Sequence, residues 1–203
     1  MSKHAKEIHA FEPWEPVIQR FRRMVEFNHF RNIIIHPFGL GDENSKKPFY
    51  RPPDENLGTG SFVDGFKKDN SLQGELEIQI GDDALEKAGV TSVALIKMDI
   101  EGYEKPALKG LRRTLRRDRP VVQFEISVDP NSPVSIKSSA ELMGLFPEKY
   151  EFLVFSEKNN PATGAYFLEP TTEILRFDST QQYDMVAYPL EKKKNIPLKG
   201  PQP

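Results

Sequence analysis

The run Val93-Ala94-Leu95-Ile96-Lys97-Met98-Asp99-Ile100-Glu101-Gly102-Tyr103-Glu104 decides the fold. Its first half is almost continuously apolar, as expected of a central parallel strand buried on both faces. Asp99 and Glu101 follow at the carboxyl end of that strand, and Gly102 lets the chain turn sharply into a helix starting at Pro106. The helix turns Ala107, Leu108, Leu111 and Leu115 inward and leaves Lys109, Arg112, Arg113, Arg116 and Arg117 in water. Val121 to Ile126 reads as the next core strand, so the segment as a whole is a β-α-β unit.

The same alternation extends outward. Upstream, Ile8 to Glu12 is a strand, followed by a helix from Pro16 with Val17, Phe21, Met24 and Val25 at helical spacing. Ile33 to Ile35 is a strand closed by Pro37 and the Gly39/Gly41 pair. Asp42 to Leu72 is rich in proline, glycine and polar residues and reads as a long excursion with short strand pieces. Glu75 to Ile80 alternates as a half-buried strand, and Asp82 to Ala88 is a short helix stopped by Gly89. Downstream come a helix over Glu141 to Phe146 and strands near Glu151 to Phe155, Ala165 to Leu168 and Asp184 to Tyr188. The expected architecture is α/β, with a mostly parallel sheet and helices on both faces, in one domain over residues 1–190. Residues 191–203 form a flexible tail rich in lysine and proline.

Composition narrows the function. With 203 residues, 37% hydrophobic and 29% charged, the chain has enough apolar residues for one core and none to spare for a second. No apolar run approaches the roughly 20 residues of a membrane helix, so no membrane role is expected. The net charge of -2 gives no overall attraction to nucleic acid. The basic stretch Lys109 to Arg119 lies largely in the last turns of a helix, where cations complement the macrodipole, and has no interleaved aromatics to stack on bases. It reads as a solvated face, and no nucleic-acid partner is expected. The absence of cysteine excludes disulfides and thiolate chemistry and suits a reducing, cytoplasmic compartment. The four histidines show no metal-ligand spacing, and no metal site is expected.

Ligands of open α/β sheets sit beyond the carboxyl ends of the strands, which singles out Glu12, Asp99, Glu101 and Glu125. Glu12 has two readings: acceptor for the hydroxyls of a ribose, or a carboxylate at the positive end of the Pro16 helix. Asp99 and Glu101 suit positioning of a polar substrate, general base work or cation binding; the plainer account is capping of the following helix by Asp99, Glu101 or Glu104. Their place beside Met98 and Ile100 favours function, because a carboxylate there risks desolvation. Lys97 is a partner for them. A metal-dependent hydrolase built on Asp99, Glu101 and Glu125 is a rival reading, weakened by the lack of histidine ligands.

HAFEPWEPVIQRF, then HPFGLGD, then TGSF, then LIKMDIEGYEKPALKG and PVVQFE resemble, in this order, the FkbM-type family of S-adenosylmethionine-dependent methyltransferases. The resemblance runs from Ile8 to Ile126, with weaker support to Tyr188. It implies a Rossmann-like class I methyltransferase fold, S-adenosylmethionine as cofactor and methyl transfer to a hydroxyl of a sugar or secondary metabolite. Carried over by position, Glu12 would hold the ribose hydroxyls, Pro13 would shape the adjoining turn, and Phe38 and Gly39 would lie near the adenine. Asp99 and Glu101 would line the catalytic centre, with Asp99 as the base; Tyr103 would form its rim, and Ser61 and Glu125 would meet the substrate.

Such a domain normally opens with a strand and a glycine-rich D-x-G-A-N-x-G loop. Only Met1 to Glu7 precede the F-E-P strand here, so the first β-α unit is expected to be missing and two interior strand edges left unpaired. The resemblance then branches. Either the chain is a truncated methyltransferase with impaired cofactor binding, or it is a non-catalytic binding or regulatory remnant of that fold.

Overall fold

The computed structural model describes residues 4–53, 56–155, 168–170 and 175–196. Three sheets carry the described residues. Strands β1 (Ile8–Phe11) and β2 (Ile33–His36) pair in parallel, and α1 (Glu15–Phe27) crosses between them. Pro16 sits in the first turn of α1, where its missing N–H costs nothing, and Glu15 faces the helix's positive end. Ile18, 1% exposed, anchors the inner face.

The excursion is more regular than its composition predicts. Strands β3 (Gly39–Gly41), β4 (Ser45–Arg51) and β5 (Ser71–Ile80) form a sheet in the order β3-β5-β4. Pro48 is tolerated because β4 is an edge strand. Helix α2 (Gly81–Lys87) ends at Gly89 with φ 73°, where the Val90 amide reaches back to the Leu85 carbonyl at 3.0 Å.

The third sheet runs β6-β7-β10-β8-β9, from β6 (Leu95–Met98), β7 (Val121–Val128), β8 (Tyr150–Phe155), β9 (Leu168–Pro170) and β10 (Gln181–Pro189). Between β6 and β7 lie α3 (Glu104–Gly110) and α4 (Arg112–Asp118); α5 (Ser139–Gly144) precedes β8. Val122, Phe124, Ile126 and Val128 of β7, with Met185 and Ala187 of β10, bury one face of the sheet against Leu85, Leu108, Leu115 and Leu142. Each of these side chains larger than Ala187 contributes about 1.5–3 kcal/mol on burial. Leu153, Val186 and Tyr188 point to the other face and pack with Leu168 and Ile196.

Several expectations are corrected. The sheets are mixed rather than mostly parallel: β1–β2, β3–β5 and β6–β7 are parallel, whereas β4–β5, β7–β10, β8–β10 and β8–β9 are antiparallel. On the described five-stranded sheet, helices α2 to α5 contribute to one face only, not to both. The strand read as Val93 to Ile100 is only Leu95–Met98 and is not buried on both faces. It borders the sheet, and Leu95 stays 46% exposed. Among the described residues no ladder joins β1 to β6, so each keeps one edge unladdered. Within the described part of the tail, residues Leu190–Asn195 form a 3-10 helix in which Glu191 pairs with Arg119 and Lys192 donates to the Arg119 carbonyl, each at 2.5 Å; residues 197–203 lie outside the described residues. The strand expected at Ala165 to Leu168 falls mostly outside the described residues.

Candidate functional site

Past the end of β6 the chain makes a tight turn through Asp99, Ile100, Glu101 and Gly102 before α3 begins. Glu101 has φ 54° and Gly102 φ 94°. For a glutamate the left-handed region costs on the order of 1–3 kcal/mol, so its surroundings must enforce it. Ser61 does so from the excursion: its hydroxyl donates to the Glu101 carbonyl at 2.6 Å and accepts from the Val63 amide at 2.9 Å. A Cβ on Gly102 would lie 2.8 Å from the Phe66 ring, which explains the glycine in both space and conformation.

The Glu101 side chain ends in a buried oxygen, Oε2, with no hydrogen-bond partner. A buried acceptor left open on a strained residue is where function is expected. Burial pushes its carboxyl up to about 6; Lys67 pulls the other way, and Glu125 and Asp99 add to the rise. Glu125, half-buried on β7, is raised by burial and by Asp99 and Asp184, and accepts from Gln182 Nε2 at 2.8 Å. Asp99 is exposed and pairs with Lys97 Nζ at 3.3 Å. The fold therefore brings Asp99, Glu101 and Glu125 into one electrostatic neighbourhood, with Lys67 and Lys97 as its cations.

Ser61 and Tyr103 both lie buried. Ser61 is 1% exposed, and its hydroxyl is engaged by the Glu101 carbonyl and the Val63 amide. Tyr103 is 7% exposed and packs with Val63, Ile78 and Phe62 in a small core of its own, beneath the turn rather than on its rim.

A second group lies at the ends of β1 and β2. Glu12 Oε1 accepts from the Trp14 amide at 2.8 Å, and burial raises this carboxyl against that bond. Phe38 tilts against Phe11 and His36, and Phe11 stacks on His36 with centroids 4.6 Å apart. Gly39 opens onto no empty space: a Cβ there would meet the Phe62 ring at 3.1 Å. Pro13 lines a groove of about 560 Å³ with Trp14, Arg20, Leu57 and Gln73. That groove is large but holds no unpartnered buried polar atom, so the chemistry points to Glu101 instead.

Sequence reasoning missed Lys67, Glu104 and the histidine pair. Lys67 follows an aromatic in a segment without periodicity, which offers no signal. Glu104 belongs to the quoted run but reads there only as a cap. His9 Nδ1 and His36 Nε2 lie 2.9 Å apart, a contact that only the β1–β2 register creates, and His9 Nε2 meets the nearby Glu7 at 2.6 Å. The basic residues after Lys109 are largely engaged: Arg113 with Asp83 at 2.6 Å, Arg117 with Asp118 at 2.7 Å, Arg119 with Glu191. Among the described residues no three His, Asp or Glu side chains are arranged to hold a metal ion, and no helix is long and apolar enough to cross a membrane.

Residues 2–154 match the model of the methyltransferase FkbM domain. No curated protein matches the chain at a significant level. A crystal structure of methyltransferase FkbM from Methylobacillus flagellatus KT is similar, with 19% identity and a TM-score of 0.48. The similarity covers 90% of this chain and 36% of that one, so the chain spans little more than a third of that protein's length.

Proposed function

Because the chain belongs to the FkbM methyltransferase family, we propose that it transfers a methyl group from S-adenosylmethionine to a hydroxyl of a small acceptor, a sugar or a secondary metabolite. The observation that carries this reading is Glu101, a strained residue whose buried Oε2 is an open acceptor at a strand terminus. Glu12 fits the donor's ribose: one of its oxygens is engaged by Trp14, which leaves the other to accept from hydroxyls. The aromatic faces of Phe38 and Phe11 suit a flat heterocycle. Gly39, filled by Phe62, contributes backbone only. When bound, S-adenosylmethionine supplies a methyl on a sulfonium, which needs no metal to be electrophilic.

The chain's own task is to orient the hydroxyl and receive its proton. Glu101 is the better base of the pair, ahead of Asp99. Its carboxyl, raised to about 6, is ionised at neutral pH yet more basic than a solvated carboxylate. Asp99 lies exposed beside Lys97 and is placed to hold neighbouring hydroxyls of the acceptor. Glu125 adds a third acceptor and raises Glu101 further.

The test is calorimetric titration with S-adenosylmethionine, then transfer of a labelled methyl to a panel of monosaccharides and hydroxylated metabolites. Glu101→Gln should leave donor affinity unchanged and lower turnover about 100-fold or more, the usual range for loss of a general base. Turnover by the unsubstituted chain should rise with pH through about 6 and then level, as Glu101 ionises. Failure of the chain to bind the donor at millimolar concentration, or full turnover by Glu101→Gln, overturns the reading.

A further inference from the structure

Glu104 takes no part in the reaction just proposed, yet it is the most deeply buried carboxyl of the turn, 2% exposed. Its Oε1 accepts from the Gly102 amide at 3.0 Å. That amide sits in the middle of the two-residue left-handed step formed by Glu101 and Gly102. No sheet ladder supports these two residues, because β6 has ended at Met98 and α3 begins only at Glu104. The turn closes on itself through the Tyr103 amide, which donates to the Ile100 carbonyl at 3.3 Å, and two side chains grip its backbone besides: Ser61 on the Glu101 carbonyl and Glu104 on the Gly102 amide. Ser61 belongs to the excursion, 40 positions away in sequence; Glu104 is the side-chain grip internal to the motif.

We propose that Glu104 is a positioning residue: by accepting the Gly102 amide it fixes the turn that withholds Glu101 Oε2 from water. Its consequence for catalysis rests on the reading of Glu101 as proton acceptor; the mechanical link between the two side chains does not. Burial pushes Glu104 up to about 7, against the amides of Glu104, Gly102 and Ser127, and Glu125 on β7 raises it further. Of the other elements around it, β3 brings only Gly39, Leu40 and Gly41, and the neighbouring Lys105 is turned to Glu141 at 2.6 Å. Glu104 therefore changes charge near neutrality while holding a bond that its charge strengthens.

The experiment is NMR on the full chain without methyl donor. In the unsubstituted protein the Gly102 amide proton should move with pH, with a midpoint near 7, and the Glu101 side-chain carbonyl carbon should titrate near 6. Glu104→Gln keeps an oxygen for the Gly102 amide but cannot ionise; the Gly102 titration should vanish while the Glu101 midpoint stays near 6. Glu104→Leu removes the acceptor, and the Glu101 midpoint should fall toward the ordinary value of about 4.3 as the carboxyl rehydrates. A Gly102 amide that does not respond to pH in the unsubstituted chain overturns the proposal, whatever the variants do. So does a folded Glu104→Leu protein whose Glu101 still titrates near 6. A chain that binds no donor but shows these titrations sinks the functional reading alone and leaves the positioning role standing.

Discussion

Glu101 and Glu104 lie three positions apart on one turn, and burial makes both hold their protons more tightly than solvated carboxyls. The unfolded chain releases those protons near pH ~4.3. The stability linked to the two groups is therefore fully present below that pH and is lost as pH rises through 6 for Glu101 and 7 for Glu104. For Glu104 the full loss is on the order of 3 kcal/mol; Glu101, closer to solvent, contributes less. Asp118 and Glu141, lowered chiefly by hydrogen bonds from Arg117 and Lys105, act in the opposite sense and lose their contribution in acid. Glu104→Gln should accordingly be more stable than the unsubstituted protein at pH 8, by roughly 1–3 kcal/mol, with the advantage shrinking toward pH 5. Urea unfolding at the two pH values measures it, and a difference independent of pH would contradict the burial cost assigned to Glu104. The sequence points to Asp99 and Glu101 together, and to Asp99 as the base. Their spacing alone cannot tell an exposed carboxylate paired with Lys97 from a buried one with an open oxygen, because the distinction depends on Ser61 and Phe66 arriving from the excursion.

Helices α3 and α4 show what an element can and cannot announce through its sequence. Their apolar spacing from Ala107 to Leu115 is continuous, and the sequence predicts one helix. The structure has two, with the break at Leu111. The cause lies just before it: a Cβ on Gly110 would come within 1.7 Å of the Gly41 carbonyl oxygen, so helix and β3 backbone touch there. Asp82 on α2 then caps the new start, accepting from the Arg113 amide at 2.7 Å and the Thr114 amide at 2.8 Å. Gly110→Ala should cost more than about 3 kcal/mol or prevent soluble folding, since the contact is with backbone and cannot be relieved by a rotamer. Thermal unfolding of the variant checks it, and a melting temperature within a few degrees of the unsubstituted protein would refute the close approach. Signals carried by local chemistry, such as Pro16 opening α1, Gly89 closing α2 and the alternation in β5, are legible in the sequence alone. The β4–β5 pairing is not. Lys46, Lys47 and Pro48 disguise an edge strand, and its register with Ser71 to Ile78 is set by contacts some twenty or more positions apart.

Taken whole, the molecule is held unevenly. Strands β7, β10 and β8 are laddered on both edges, and β7 and β10 supply Val122, Phe124, Ile126, Val128, Met185 and Ala187 to the larger core. Strand β6 is laddered only to β7, and the β1–β2 pair ladders to neither of the other sheets among the described residues. The proposed reaction needs both halves: Glu12 and Phe38 follow the strands of the weakly tied pair, whereas Glu101 follows β6 and Glu125 stands on β7 in the larger sheet. Local opening free energies follow how many ladders and buried contacts must break, so the two halves should separate in hydrogen exchange. Amides of β7 and β10 should exchange last, at rates that track global unfolding. Those of β1 and β2 should exchange orders of magnitude sooner, and in β6 the slow amides should be the ones bonded to β7. Addition of S-adenosylmethionine should slow exchange in β1 and β2 more than in β7, because a ligand that bridges the halves protects the half that opens more readily. Uniform protection across all three sheets without ligand would show that β1 and β2 are tied to the larger sheet by more than side-chain packing. Protection by the donor confined to β7 would move its site away from Glu12.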